Sequence, residues 1–344
     1  MGLEPAETLE RQLAPEFSEA EVAFYSSESA RFWTQEIQTI DVAFRGNVRQ
    51  RLWHYTSLPA FHSVVSGRNV RLTNVRFMND ATELEYGFYL LTSIVEENPA
   101  ELQGAPTLKR DLEAVIDRFK TRGLLFDFYV ACFCESPDLL PQWTIYGHQG
   151  GGVAVEFDMY RFINDYAAFG DIAHLPPNDP GAQGKGISIR KVEYNESKQR
   201  EAIRGLLRTF RDSRERADIE LPTLAPEKRD DLCQSVLMAN IENLLPLLKH
   251  PTLSHESEWR VIASLGNYVE SHRPFFRSKE ADVIPYLEMR RAGHSGESLP
   301  ITSVRVARSG TQGFERGMRA CSLILAANGH RDIEPTPFTY VLRR

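Results

Sequence analysis

The chain has 344 residues, of which 42% are hydrophobic and 25% are charged. These fractions are typical of a globular protein with a packed core, and they exclude a largely disordered or collagen-like chain. The 40 Lys and Arg residues and 47 Asp and Glu residues give a net charge of −7. That charge excludes tight, non-specific coating of DNA, although a local basic patch remains compatible with it.

The four cysteines predict neither a disulfide framework nor a zinc site. No two of them form a Cys-x-x-Cys pair, and neighbouring ligands at the usual zinc spacing are missing. We therefore expect free thiols in a reducing compartment. With no recognisable signal peptide and no apolar run of membrane-spanning length, the sequence predicts a cytoplasmic protein.

Hydrophobic periodicity and turn residues predict strands and helices in a mixed order, without regular βαβ repetition. The predicted strands are 51–55, 70–72, 128–133, 153–157, 187–194, 259–263, 304–307 and 338–342. The predicted helices are 58–67, a helix opened by Asp80, 106–122, 196–217, 227–248 and 314–328, and 142–147 is predicted to be a short helix or turn. The fold class is therefore α+β, with mixed, mostly antiparallel sheets and flanking helices.

The chain is predicted to contain one main domain with two helical additions. Residues 1–48 form an amphipathic N-terminal helical extension, and residues 49–344 form the domain. A helical insertion is expected at about 196–249. No internal repeat is apparent.

Three clusters of polar and aromatic residues stand on or beside predicted strands. They are Trp-His-Tyr-Thr at 53–56, Gln-Trp-Thr-Ile-Tyr-Gly-His at 142–148 and His-Glu-Ser-Glu-Trp-Arg at 255–260. If the last strand extends back far enough, Glu256, Glu258 and Arg260 share one face, because successive side chains of a strand alternate. A carboxylate fixed in this way can orient a hydroxyl or stabilise a cation.

Each cluster also has a purely structural interpretation. His54, taken alone, is more often an interior histidine bonded to a backbone carbonyl. The aromatic residues Tyr55, Trp143 and Tyr146 can be large core residues. Glu258 and Arg260 can form a structural ion pair.

The order of the motifs along the chain is more specific than any one of them. The motifs are His-Tyr-Thr at 54–56, Arg-Phe-Met-Asn-Asp at 76–80, Cys-Phe-Cys-Glu-Ser at 132–136, Gln-Trp-x-x-Tyr-Gly at 142–147, Gly-Val-Ala-Val-Glu-Phe at 152–157 and Glu-x-Glu-Trp-Arg at 256–260. This order closely resembles the bacterial domain-of-unknown-function 2971 family, from about Arg51 to the end. That family is similar, more distantly, to ADP-ribosyltransferases, especially those that modify nucleic acid.

The resemblance implies an ADP-ribosyltransferase-like core with NAD as the substrate. Glu258 would be the catalytic carboxylate, and Glu256 would position the acceptor. The residues implied to bind NAD are His54, Tyr55, Thr56, Arg76, Trp143 and Tyr146. Strand alternation can turn Tyr55 to the face opposite His54 and Thr56.

The implied reaction cleaves NAD to nicotinamide and transfers ADP-ribose to a nucleic acid or protein acceptor. By analogy with related families, such an enzyme would act as a toxin or an antiphage defence effector. Two alternatives stay open, a non-catalytic nucleotide-binding protein and a metal-dependent hydrolase or nuclease. The carboxylates available to the hydrolase are Asp80, Glu83, Glu156, Asp158, Glu256 and Glu258.

A basic stripe in the helical insertion bears on the acceptor. Arginines recur there at spacings of four and three, namely Arg200, Arg204, Arg208 and Arg211. A solvated helix face with ion pairs explains this pattern. The functional alternative is a groove for a nucleic-acid backbone, whose affinity would fall steeply with salt.

Overall fold

A computed structural model describes most of the chain. The described residues are 18–35, 51–78, 82–103, 105–122, 128–146, 152–173, 187–264, 272–279, 282–292, 297–307 and 311–338. The predicted helix start at Asp80 and most of the predicted 1–48 extension lie outside these residues.

Within the described residues, eleven strands form one sheet. They are β1 (Arg51–Ser57), β2 (Val70–Asn74), β3 (Phe128–Cys134), β4 (Gly152–Asp158), β5 (Tyr166–Phe169), β6 (Ser188–Lys191), β7 (Glu258–Ser264), β8 (Phe275–Lys279), β9 (Asp282–Arg291), β10 (Ile301–Ala307) and β11 (Thr336–Phe338). The main path runs β11-β10-β4-β1-β3-β2-β9-β5, with β7 added to β3, β6 to β7 and β8 to β9. The described pairings are antiparallel, apart from the parallel pairing of β10 with β11. The predicted α+β class with mostly antiparallel pairing is confirmed.

Nine helices accompany the sheet in the described part of the chain. They are α1 (Glu19–Gln35), α2 (Leu58–Gly67), α3 (Thr82–Glu96), α4 (Pro106–Arg122), α5 (Leu140–Tyr146), α6 (Met159–Asp165), α7 (Glu196–Glu220), α8 (Pro226–Leu244) and α9 (Thr311–Ala327). Local sequence explains α2 well, because the Ser57 side chain accepts a hydrogen bond from the Ala60 amide at 3.3 Å. Arg68 then ends the helix in the left-handed conformation, with φ of 52°.

The central strand β3 has different neighbours on its two edges. Along one edge it pairs with β7 over its full length. On the other edge it meets β2 at Tyr129 and Val130 and meets β1 at Cys134. This arrangement leaves the β3 backbone between Val130 and Cys134 outside the ladders with β1 and β2. The candidate site residue His54 lies at this gap.

Directly opposed residues on neighbouring strands project from the same side of a sheet. Trp53 lies opposite Cys134, and Cys134 lies opposite Glu258. We call the side to which these three residues project the Glu258 face. The other side is packed by α2, α6 and α9 around a core that includes Phe61 and Phe162.

The remaining long helices form a second hydrophobic body. Helices α1, α3, α4, α7 and α8 contribute to one buried cluster, in which Phe24 and Tyr25 of α1 pack with the helical insertion. The carboxylate of Glu28 in α1 contacts the Ser213 hydroxyl and the Arg216 guanidinium of α7. The described part of the N-terminal extension therefore packs against the insertion predicted at 196–249.

Candidate functional site

The strand that carries Glu258 begins at that residue. The preceding segment Pro251–Glu256 is a 3-10 helix, and Ser257 follows it with a positive φ of 45°. Glu256 therefore ends the 3-10 helix before the strand, and the condition under which Glu256 would share a strand face with Glu258 and Arg260 is not met. Glu256 is linked to Glu258 instead through a lysine that bonds both carboxylates and that the sequence motifs did not single out.

Glu258 is almost fully buried, and both of its carboxylate oxygens are occupied. Arg260 donates from Nε to Oε1 at 2.8 Å and from Nη2 to Oε2 at 3.3 Å. Lys249 donates from Nζ to Oε2 at 2.9 Å. The structural ion pair between Glu258 and Arg260 is thus present, and Lys249 adds a second cation.

Lys249 joins the two carboxylates of the Glu-x-Glu motif. Its Nζ also donates to Oε2 of Glu256 at 2.5 Å, and its side chain is only 7% exposed. Its backbone is fixed as well, because its amide donates to the Glu193 carbonyl and its carbonyl accepts from Gln199 at 2.7 Å. We call Lys249, Glu256, Glu258 and Arg260 the Lys249 cluster. Its two cations balance its two carboxylates.

The cluster keeps Glu258 ionised. Burial alone would raise the pKa of Glu258, but the positive charges of Arg260 and Lys249 outweigh it and lower the pKa from 4.5 to about 2. Hydrogen bonds from Arg260 and from the Cys132 thiol act in the same direction. An ionised carboxylate at low dielectric exerts a strong field on any nearby cation.

Neutral thiol and phenol groups surround the cluster. The Tyr194 hydroxyl accepts a hydrogen bond from the Glu258 amide at 3.2 Å, and Cys134 lies directly opposite Glu258. Burial raises the pKa of Tyr194, of Cys134 and of Tyr146, and the negative charge of Glu258 raises each further. These groups therefore stay protonated at neutral pH.

Two polar atoms at the cluster have no hydrogen-bond partner within the part of the chain that the structure describes. They are the hydroxyl of Tyr146 and Oε1 of Glu256. Tyr146 is half-buried, and the Glu256 side chain is 14% exposed. Together they offer one donor and one anionic acceptor to a small polar ligand.

His54 and Thr56 lie on the other side of the sheet. Because strand residues alternate, they project away from the side taken by Trp53 and Tyr55. The His54 ring bonds the Cys132 carbonyl at 2.9 Å, at the gap in the β3 edge, and burial lowers its pKa. This geometry matches the interior-histidine interpretation, and the structure does not bring His54 and Thr56 together with Glu258.

Tyr55 and Trp143 share the Glu258 face, but their polar atoms are used internally. Tyr55 donates from its hydroxyl to the Ser136 carbonyl at 2.8 Å, and Trp143 donates from Nε1 to the Pro137 carbonyl at 2.8 Å. Trp143 is 1% exposed and stacks on Phe338 with centroids 4.6 Å apart. Both rings therefore hold the segment after β3 in place.

Arg76 lies near the far end of β3. It is exposed and follows β2, whose last residue Asn74 pairs with Tyr129. Tyr129 and Cys134 are five residues apart, which is about 17 Å along an extended strand. Arg76 is thus placed at the opposite end of β3 from Glu258.

Among the described carboxylates of the hydrolase alternative, Glu156 and Asp158 do not converge with Glu256 and Glu258. Glu156 accepts a hydrogen bond from the Thr302 hydroxyl at 2.7 Å, and Asp158 caps α6. Three strand spacings separate Glu156 from Glu258, which is about 14 Å. No group of three candidate metal ligands occurs in the described ranges, while Asp80 and the Glu83 side chain fall outside them.

Three arginines of the basic stripe are paired with carboxylates. Arg200 contacts Glu97, Arg208 contacts Glu101 at 3.1 Å and Glu201 at 2.7 Å, and Arg211 contacts Asp212 at 3.5 Å. The buried Nε of Arg204 has no partner in the described part of the chain. The stripe is therefore largely neutralised, as an ion-paired helix face would be.

Lys249 and Tyr194 are the site residues that the sequence motifs missed. Lys249 ends the apolar run Leu-Leu-Pro-Leu-Leu-Lys at 244–249, and a lysine in such a run was a signal for a buried, paired cation. Tyr194 had no comparable signal, because its role depends on the position of the Glu258 amide.

The fold and site define an α+β protein with a buried cluster of two cations and two carboxylates at the start of one strand. Residues 142–261 match the model of a family described as protein of unknown function (DUF2971). The resemblance to this family is therefore confirmed over that segment, which contains the whole Lys249 cluster and Tyr146. No curated protein and no solved structure matches the chain.

Among the described helices, none combines the length and apolar character needed to cross a bilayer.

Proposed function

We propose that the chain is an NAD-dependent enzyme of the ADP-ribosyltransferase type. It would cleave NAD to nicotinamide and transfer ADP-ribose to a nucleic acid or protein acceptor. The observation that carries the proposal is the pair of carboxylates Glu256 and Glu258, fixed by Lys249 beside the Tyr146 hydroxyl, which has no hydrogen-bond partner among the described residues. A cytoplasmic location and a role as a toxin or antiphage effector belong to the same proposal.

The chemistry needs a fixed negative charge and little else from the protein. Breaking the bond between ribose and nicotinamide sends its electron pair to the nicotinamide nitrogen and leaves an oxocarbenium-like sugar. Carboxylates held rigidly in a poorly solvated site stabilise that cation without reorganising. The ionised state of Glu258 supports this role, since its pKa is held near 2.

The geometry changes which residues we propose to contact the substrate. Tyr146 packs against the group of residues that contains Cys134, and Cys134 lies opposite Glu258, so Tyr146 is suited to line the proposed substrate site. His54, Thr56 and Arg76, which the resemblance implied as NAD ligands, lie on the other side or at the other end of the sheet. The proposal therefore places the nicotinamide ribose on the Glu258 face.

The test is incubation of the full chain with NAD labelled in its adenylate phosphate, with RNA, DNA or bacterial protein as the acceptor. We expect nicotinamide release and label on one acceptor class. Free ADP-ribose with every acceptor would indicate NAD hydrolysis instead of transfer. Binding of NAD without nicotinamide release would favour the non-catalytic nucleotide-binding alternative and overturn the proposal.

A further inference from the structure

We infer that Glu256, rather than Glu258, is the carboxylate that contacts the ribosyl substrate, and that Lys249 is the positioning residue that holds it. The inference rests on the proposed function for the identity of the substrate. It reverses the roles that the resemblance implies for the two carboxylates of the Glu-x-Glu motif.

Both carboxylate oxygens of Glu258 already accept hydrogen bonds from charged donors. Its Oε1 accepts from Arg260, and its Oε2 accepts from both Lys249 and Arg260. A substrate hydroxyl would have to displace one of these charged donors in a site where Glu258 is only 3% exposed. Displacement would leave a buried cation without its partner, which is costly.

Glu256 has the opposite character. Only its Oε2 is occupied, by Lys249, while Oε1 has no hydrogen-bond partner among the described residues. It lies on the turn that precedes β7 and keeps 14% of its side chain exposed. A ribose hydroxyl can therefore donate to Oε1 without breaking any internal contact.

Lys249 makes this arrangement specific. A single Nζ is shared by Oε2 of Glu256 and Oε2 of Glu258, so Glu258 anchors Lys249 and Lys249 aims Glu256. The Tyr146 hydroxyl, also without a partner in the described ranges, supplies the donor that complements the free oxygen of Glu256. A ligand that fits must offer both a hydroxyl donor and an oxygen acceptor, as the ribose and carboxamide of a nicotinamide nucleoside do.

In the reaction, the C–N bond to nicotinamide breaks and its electron pair stays on nicotinamide. The acceptor nucleophile then forms the new bond to the same ribose carbon, and its proton passes to Glu256 or to water. Glu256 holds the ribose and offsets the transient positive charge. Glu258 makes no contact with the substrate and keeps Lys249 in place.

The experiment compares Glu256→Gln, Glu258→Gln and Glu288→Gln for nicotinamide release, for ADP-ribose binding and for unfolding in urea. Glu288 on β9 is a matched control, with 19% side-chain exposure and an ion pair to Arg290 at 3.9 Å. We expect Glu256→Gln to lose at least about 100-fold in kcat. It should lower the urea midpoint less than Glu258→Gln does, because Lys249 keeps Glu258 as an ionised partner. Glu258→Gln should lower the urea midpoint, and Glu288→Gln should change neither quantity.

Lys249 is tested by Lys249→Arg and Lys249→Met. A positioning role predicts that arginine restores a measurable part of kcat, whereas methionine loses kcat as severely as Glu256→Gln does. Wild-type turnover in Glu256→Gln would overturn the inference and leave the proposed function standing. A wild-type chain that binds ADP-ribose without releasing nicotinamide would overturn the proposed function. In that case, weaker ADP-ribose binding by Glu256→Gln would support the inference, and unchanged binding would overturn it. Absence of both binding and turnover in the wild type would overturn both.

Discussion

His54 and Glu258 project from opposite faces of the same sheet, with β3 between their strands. The His54 ring bonds the carbonyl of Cys132, and the thiol of the same cysteine bonds Glu258 on the other side. One residue of β3 thus separates a neutral histidine from an ionised carboxylate. The two groups act on the fold from different sides and are expected to respond differently to mutation and pH.

His54 is predicted to support stability and to leave substrate binding unchanged. Burial lowers its pKa below 6.5, so the unfolded chain binds the proton first as the pH falls. Its contribution should therefore be complete above about pH 6.5 and decline below it. We expect His54→Gln to cost about 1 kcal/mol at pH 7.5 and to remove this decline, measured by urea unfolding between pH 7.5 and 5.5. A large rise in KM for NAD at unchanged stability would instead identify His54 as a ligand-binding residue.

Glu258 is predicted to dominate the acid sensitivity of the fold. Its pKa is about 2 in the folded protein against 4.5 ordinarily, so its stabilisation is present above pH 4.5 and is lost as the pH falls toward 2. The difference corresponds to about 3 kcal/mol. We expect the wild type to lose more stability across this interval than Glu258→Gln, with the pH slope of the unfolding free energy as the measurement. Equal slopes would mean that Arg260 and Lys249 do not hold the carboxylate as described.

Trp143 is predicted to matter through packing. Its ring is buried against Phe338 and its Nε1 bonds a backbone carbonyl, so Trp143→Ala should cost about 3–5 kcal/mol in unfolding free energy. Tyr146→Phe on the same helix removes only a hydroxyl that has no partner in the described residues, and should cost less than about 0.5 kcal/mol. Urea unfolding of both variants checks this contrast. A comparable loss in the two variants would contradict the placement of the Tyr146 hydroxyl.

Much of the fold could be predicted, because several elements carry local signals. Strand β1 and helix α2 follow from an apolar run, a serine cap and a glycine near the helix end. Strands β8 and β9 were missed, because Pro285 and the flanking charges interrupt the apolar alternation. β8 pairs with β9, and β9 pairs with β2, a neighbour more than 200 residues earlier in the chain. Tertiary contacts of that range leave no trace in a local pattern.

The candidate site was only partly predictable for a similar reason. The Glu-x-Glu motif drew attention to Glu256 and Glu258, but the strand does not extend back to Glu256, so strand alternation does not explain how the two carboxylates meet. The positive φ at Ser257 ends that strand early, and Lys249 supplies the link. Whether His54 lies on the same face as Glu258 depends on the register of β1, β3 and β7, which a single sequence does not encode locally.

Glu28 is predicted to hold the N-terminal helix α1 against α7. Glu28 is 3% exposed, and its carboxylate meets the Arg216 guanidinium and the Ser213 hydroxyl of α7. Glu28→Gln removes the charge that balances Arg216, but this arginine is 31% exposed and regains some hydration. We therefore expect a loss of about 1–3 kcal/mol, below that of a fully buried pair. Glu19→Gln, on an exposed position of the same helix, is the control and should change urea unfolding by less than about 0.5 kcal/mol. If the two variants unfold at the same urea concentration, the contact between Glu28 and α7 does not hold the helix to the insertion.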